Sequence, residues 1–299
     1  MPGRRSPRAA IALLLSLSFA LIALAGCQSA APRSVDSRPA AAAAHSRPAT
    51  AMTDPRAHGR FVERELLLDN GVLHRYQVFV PSRAAGGETP PLILFVHGSG
   101  ERGDDNRKQV EVGLGPVIRE RMDSFPAIVA FPQMHRDQPD ADRFNRTALA
   151  ILERVQSEFG GDPARTYMTG LSMGGFASFD LALMQPGRFA AVVPVCGGYN
   201  VPKVWDRDRI EELGGLWTPD QAAQRMKGAP FWVFHGARDD VVPPQRSREM
   251  VDALKRAGAK VRYTEFPDAN HNSWDDAYGS AELWDWLFAQ RRPQAAAAR

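Results

Sequence analysis

A serine between two glycines, a histidine in a late loop and two adjacent aspartates after a buried strand are the residues of this chain whose types and spacing could do chemistry together. The serine is Ser172, at the centre of Gly170-Leu-Ser-Met-Gly174. A serine hydroxyl attacks a carbonyl only when a base takes its proton, and the base must be held in one tautomer by an acid. Of the seven histidines, His45 and His58 lie in a stretch poor in large apolar residues, His74 in an opening hairpin and His135 on a loop, while His97 and His235 end strands as His-Gly pairs. His271, in Pro267-Asp-Ala-Asn-His-Asn-Ser-Trp274, stands just past the last strand and is the expected base. The acid should come from a strand end between Ser172 and His271. Phe231-Trp-Val-Phe-His-Gly-Ala-Arg-Asp239-Asp240 offers two carboxylates. Asp239 takes the usual place in a His-Gly-x-x-Asp turn and is preferred, with Asp240 as the alternative.

Attack on a carbonyl builds an oxyanion that backbone donors must stabilise. The N–H of Met173, directly after the serine, is one expected donor. The second is expected at Ser99, in His97-Gly-Ser-Gly-Glu-Arg-Gly103, where small residues let backbone approach a ligand. Trp274, three residues past the expected base, and Trp205 and Trp217 in the long connection 197–227 are the candidate substrate-binding rings. The sequence holds no metal-ligand spacing, phosphate-binding glycine loop or dinucleotide fingerprint, so no metal or cofactor is expected.

These groups need a scaffold that brings strand ends together. Thr166 to Thr169 reads as a buried strand, and Phe176, Phe179, Leu181, Ala182 and Leu183 recur at helical spacing until Pro186-Gly187, so Ser172 sits on a sharp strand-to-helix turn. Phe61–Leu68 and Leu73–Val80 flank Asp69-Asn-Gly71, a hairpin signal. Further strands are expected at Leu92–Val96, Ala127–Phe131, Ala190–Val195, Phe231–Phe234 and Val261–Phe266. Helices are expected within Asp104–Met122, starting at Asp104 or Asp105, and over Ala141–Phe159, Pro244–Ala257 and Ser280–Gln290, with 197–227 irregular. The alternation predicts an α/β fold whose mostly parallel, doubly wound sheet opens with an antiparallel hairpin and carries helices on both faces.

The front of the chain reads differently. Arg4, Arg5 and Arg8 precede an apolar run from Ala9 to Ala25 that ends Leu24-Ala-Gly-Cys27, so residues 1–27 resemble a bacterial lipoprotein signal peptide whose lipidation site would be Cys27. Gln28 after the cysteine implies the outer membrane, hence export and a lipid anchor in the cell envelope. Residues 28–58, rich in Ala, Pro, Ser and Arg, are expected to be a flexible tether, 59–291 the catalytic domain and 292–299 a flexible tail. Residues 1–58 hold seven arginines against two aspartates, more than the whole net charge of +3, which leaves the rest slightly acidic and argues against a nucleic-acid partner. With Cys27 lipidated, Cys196 has no partner for a disulfide and is expected as a buried thiol.

His97-Gly-Ser-Gly-Glu-Arg-Gly-Asp-Asp-Asn106, Thr169-Gly-Leu-Ser-Met-Gly-Gly175, His235-Gly-Ala-Arg-Asp239 and His271-Asn-Ser-Trp-Asp275 follow one another in an order that resembles the α/β-hydrolase superfamily over residues 61–290. Within it the likeness is to compact secreted esterases grouped with dienelactone hydrolases, feruloyl esterases and polyhydroxybutyrate depolymerases. The resemblance implies that Ser172 is nucleophile, His271 acid and base, and Asp239 the orienting carboxylate of a carboxylic ester hydrolase. Its substrate would be a small-molecule or polysaccharide-linked ester. The alternatives are a serine peptidase of the same fold, which the length weighs against because it leaves no counterpart to the gating propeller of prolyl-oligopeptidase-type enzymes, and a non-catalytic envelope binding protein.

Overall fold

The computed structural model describes residues 58–292 apart from 69–70, 83–86, 137–140 and 204–206. The signal peptide, Cys27, Trp205, residues 28–57 of the tether and residues 293–299 of the tail lie outside the described residues. Eight strands form one sheet: β1 (Arg60–Leu67), β2 (Leu73–Val80), β3 (Leu92–Val96), β4 (Ile128–Pro132), β5 (Thr166–Leu171), β6 (Ala191–Val195), β7 (Phe231–Gly236) and β8 (Val261–Phe266). Their order is β1-β2-β4-β3-β5-β6-β7-β8. β1, β2 and β4 are paired antiparallel, and every pair from β4 onward is parallel, as expected from the sequence.

The continuous apolar runs are explained by the strand period of two. In β3, Leu92, Leu94 and Val96 face one core, while Ile93 and Phe95 face the other; in β7, Phe231 and Val233 part from Trp232 and Phe234 in the same way. Each fully buried side chain of this size is worth about 1.5–3 kcal/mol relative to exposure. Among the described residues eight helices accompany the sheet: α1 (Leu114–Glu120), α2 (Ala141–Phe159), α3 (Met173–Met184), α4 (Arg207–Glu212), α5 (Pro219–Met226), α6 (Gln245–Arg256), α7 (Trp274–Gly279) and α8 (Ala281–Ala289). Side chains of α2, α3, α5 and α6 join the first core, and those of α1, α7 and α8 the second.

Three expectations need correction. The helix expected across 104–122 is a 3-10 turn at Lys108–Val110 and then α1, because Gly113 takes φ +70° and breaks the run. Asp105 still caps, accepting from the N–H groups of Arg107 and Lys108 at 2.9 and 3.1 Å. The stretch 197–227 is not irregular throughout. It holds α4 and α5, and α5 starts on a capping box in which Thr218 and Gln221 bond each other's backbone N–H. Finally, Arg292 is anchored: its N–H donates to Ala164 O at 2.8 Å and its guanidinium to Arg188 O at 3.0 Å.

Candidate active site

Ser172 stands between β5 and α3 with φ +53° and ψ −117°, a strained conformation for a non-glycine residue. The turn is possible because Gly174 packs directly on the Val96 and His97 carbonyls, where any side chain would collide. The Ser172 N–H donates to Val195 O at 3.0 Å and lies 3.2 Å from the Cys196 sulfur. Cys196 is fully buried, as expected, and burial first of all pushes its thiol up to about 12.

The other two groups arrive on knitted loops. The turn after β7 bonds to the loop after β8 through Ala237 N to Phe266 O at 2.9 Å and Arg238 N to Ala269 O at 3.0 Å. This brings His271 Nδ1 to 2.7 Å from Asp239 Oδ2, and His271 Nε2 to 3.0 Å from Ser172 Oγ. The other oxygen of Asp239 accepts from the N–H groups of Val241 and Val242 at 2.9 and 2.8 Å. Asp239 is buried against His271, whereas Asp240, the alternative offered by the sequence, is exposed. With its acceptor Asp239 on Nδ1, His271 carries its proton there and presents a free lone pair on Nε2 to the serine hydroxyl. Behind the serine, Thr169 Oγ1 donates to Val193 O at 2.7 Å and accepts from Tyr278 at 2.9 Å, which ties α7, and with it the end of the His271 loop, to the strand that carries Ser172.

Sequence reasoning gave His97 and His235 no role beyond ending strands. His235 is fully buried, its Nε2 3.1 Å from Asp239 Oδ2 and 2.9 Å from Val242 O, its Nδ1 2.7 Å from Ser247 Oγ. Burial lowers its pKa, although Val242 and Asp239 work the other way. Neutral His235 thus supports Asp239 from below. His97, also buried, is lowered to about 4 by burial. Its Nε2 accepts from Met134 N–H at 3.0 Å, which leaves the proton on Nδ1 to donate to Gly98 O at 2.6 Å. Because a trans peptide points its C=O and N–H in opposite directions, holding Gly98 O turns the Ser99 N–H the other way.

Ser99 opens a short 3-10 turn (Ser99–Glu101), and Gly98 before it lies against the side chains of Glu101, Leu171 and Ser172, which a larger residue would have to displace. Met173 is the first residue of α3 and so has no intrahelical acceptor for its N–H. Met173 therefore follows the serine directly, and the residue before Ser99 lies against it. The loop is braced further by Gln133, which donates to Glu101 O at 3.1 Å and to Asp105 at 2.9 Å and accepts from Asn106 N–H at 2.7 Å. Of the tryptophans, Trp274 packs edge-on against His271 with ring centroids 5.5 Å apart. Trp217 is used differently: its N–H donates to Leu213 O at 3.2 Å and Arg225 covers its ring at 5.1 Å, so it holds the α4–α5 connection together instead of facing Ser172.

The ligand atoms of Cys196, Asp239 and His271 lie within 4.8 Å of one another. Both nitrogens of His271 are already engaged there, one with Asp239 and the other with Ser172. A cavity of about 660 Å³, larger than those beside the serine, lies by Pro90, Pro91 and Arg165 at the opposite ends of the strands, away from the edge where such sheets bind ligands.

Known proteins share this architecture. The solved structure of a thermostable esterase superposes with a TM-score of 0.62 at 30% identity, covering 78% of this chain and 63% of that one. The uncharacterized peptidase YuxL of Bacillus subtilis is 25% identical over 232 residues, 70% of this chain and 35% of its own. The probable carboxylic ester hydrolase LipM of Mycobacterium tuberculosis is 31% identical over 166 residues, 46% of this chain and 38% of its own. The chain thus spans little more than a third of the length of these two curated relatives. The sequence profile of the prolyl oligopeptidase family matches residues 142–291, half of the chain and the part that carries Ser172, Asp239 and His271. The chain belongs to the prolyl oligopeptidase family and has the α/β-hydrolase fold.

Proposed function

We propose that the protein is a carboxylic ester hydrolase working through an acyl-enzyme on Ser172. The observation that carries this reading is the continuous chain Ser172 Oγ, His271, Asp239 at 3.0 and 2.7 Å, with the serine at the head of a helix. His271 Nε2 takes the hydroxyl proton as Ser172 Oγ bonds to the substrate carbonyl carbon. The resulting oxyanion accepts from the Ser99 and Met173 N–H groups, each worth about 3 kcal/mol in the transition state. His271 then hands its proton to the departing alkoxide, and water repeats the sequence to release the acid. Trp274, beside the base, offers a face to a ring or sugar on the substrate. Small-molecule or polysaccharide-linked esters are the proposed substrate class.

A second reading, a peptidase with the same machinery, has specific support in the family membership and in the likeness to YuxL. A panel of acetyl, butyryl and feruloyl esters set against peptide amides of matched acyl groups separates the two. The ester reading requires an ester kcat/KM far above that of the amide and a burst of alcohol equal to the enzyme concentration; amide turnover at comparable rate would replace it with the peptidase reading. For the front of the chain the proposal is export, lipidation of Cys27 and anchoring in the outer membrane. Metabolic labelling with palmitate, lost in Cys27→Ser, tests this; unlabelled wild-type protein would rule it out.

A further inference from the structure

A cavity of about 260 Å³ lies one residue from Ser172, lined by Met173 and by Val96 at the end of β3. Phe144, Phe176 and Ala177 give it an apolar side. Its other side is polar, made by Asn145 of α2 and by the Asp180–Arg209 pair that joins α3 to α4. Arg209 Nη2 lies 3.1 Å from both carboxylate oxygens of Asp180. The two charges cancel within the wall, and both side chains are buried. An entering carboxylate would have to compete with Asp180 for the guanidinium, and an entering ammonium with Arg209 for the carboxylate, each leaving a buried charge behind. The cavity is therefore suited to a neutral group.

Asn145 specifies which neutral group. It is 2% exposed, and its Oδ1 has no hydrogen-bond partner. An acceptor without a protein donor is open to one from a bound molecule, so an arriving hydroxyl would gain a hydrogen bond there. Size sets the rest. A cavity of about 150 Å³ already holds a benzene ring, so this one has room for a single ring with a substituent. We infer that the cavity receives a ring-sized neutral part of the substrate, and that Asn145 is a specificity-determining residue whose amide oxygen accepts a hydrogen bond from a hydroxyl on that ring. The inference rests on the hydrolase reading above, since it places the ring beside Ser172 as nucleophile. The ring belongs either to the acyl group or to the alcohol.

Two matched pairs of esters distinguish these: the methyl esters of phenylpropanoic and para-hydroxyphenylpropanoic acid, and the acetates of phenylethanol and para-hydroxyphenylethanol. In the full wild-type chain the hydroxylated member of one pair should be favoured in kcat/KM by about tenfold or more. Asn145→Leu keeps the number and branching of the heavy atoms and removes the acceptor. It should bring that ratio to within about twofold of unity in folded protein that a fluorophosphonate still labels at Ser172. Should that variant not fold, para-ethylphenol must slow wild-type labelling at lower concentration than ethylbenzene does. No hydroxyl preference in either pair, or a preference that survives Asn145→Leu, overturns the assignment of Asn145 with the hydrolase intact. Wild-type protein that is not labelled at Ser172 overturns the hydrolase reading itself, and this one with it.

Discussion

The same dipeptide, His-Gly, stands at the end of β3 and of β7, and the two copies do different work. At β3, both ring nitrogens of His97 meet backbone, Gly98 O and Met134 N–H, and what it orients is the Gly98–Ser99 peptide group. At β7, His235 meets Ser247, Val242 O and Asp239, and what it supports is a carboxylate. Both imidazoles are buried and held neutral by that burial. The chemistry of each turn is thus set by what the two ring nitrogens find in the fold and not by the dipeptide. His271, part-buried and hydrogen-bonded to the Ser172 hydroxyl, is the contrast to both.

The comparison is broken most severely at the β7 turn. Asp239→Asn should lower kcat on the order of 10³–10⁴-fold, because the amide no longer holds His271 in the tautomer that accepts from serine; steady-state kinetics check it, and a loss under tenfold would remove Asp239 from its role. At the β3 turn, His97→Leu should cost about 10²–10³-fold in kcat with little change in KM, the signature of a displaced oxyanion donor. An effect confined to KM would show that His97 merely shapes binding.

Acid tests the β3 turn through stability. Folded His97 titrates near 4 and an ordinary histidine near 6.5, so between those values the unfolded chain binds the extra proton. Its contribution is whole above about pH 6.5 and is lost as pH falls toward 4, amounting to about 3 kcal/mol at the acid end. Denaturant melts over that range should flatten in His97→Gln; an unchanged slope would contradict the burial argument. The smallest effect is expected at Asp240→Asn. That exposed neighbour of Asp239 should leave kcat/KM within about twofold of wild type.

Much of this site was legible in the sequence because each group stands where a strand ends. Ser172, Asp239 and His271 are each fixed by a short local pattern, and local patterns survive folding unchanged. What could not be read depends on neighbours distant in the chain. The role of His97 needs Met134 from beyond the next strand, and the open acceptor on Asn145 needs the packing of α2 against α3. The missed α5 is a different case, since Thr218-Pro-Asp-Gln221 is a helix start that a closer reading of 197–227 could have found. The helix drawn through 104–122 failed at Gly113, whose positive φ the apolar spacing around it did not reveal.

The central claim is that His271, held by Asp239, activates Ser172. The rate at which a fluorophosphonate labels Ser172, followed by intact-protein mass spectrometry, tests it most directly. The account predicts one adduct per wild-type chain, none in Ser172→Ala, and labelling slowed on the order of 10³-fold or more in His271→Ala with the fold intact. Equal labelling rates in wild type and His271→Ala would contradict it.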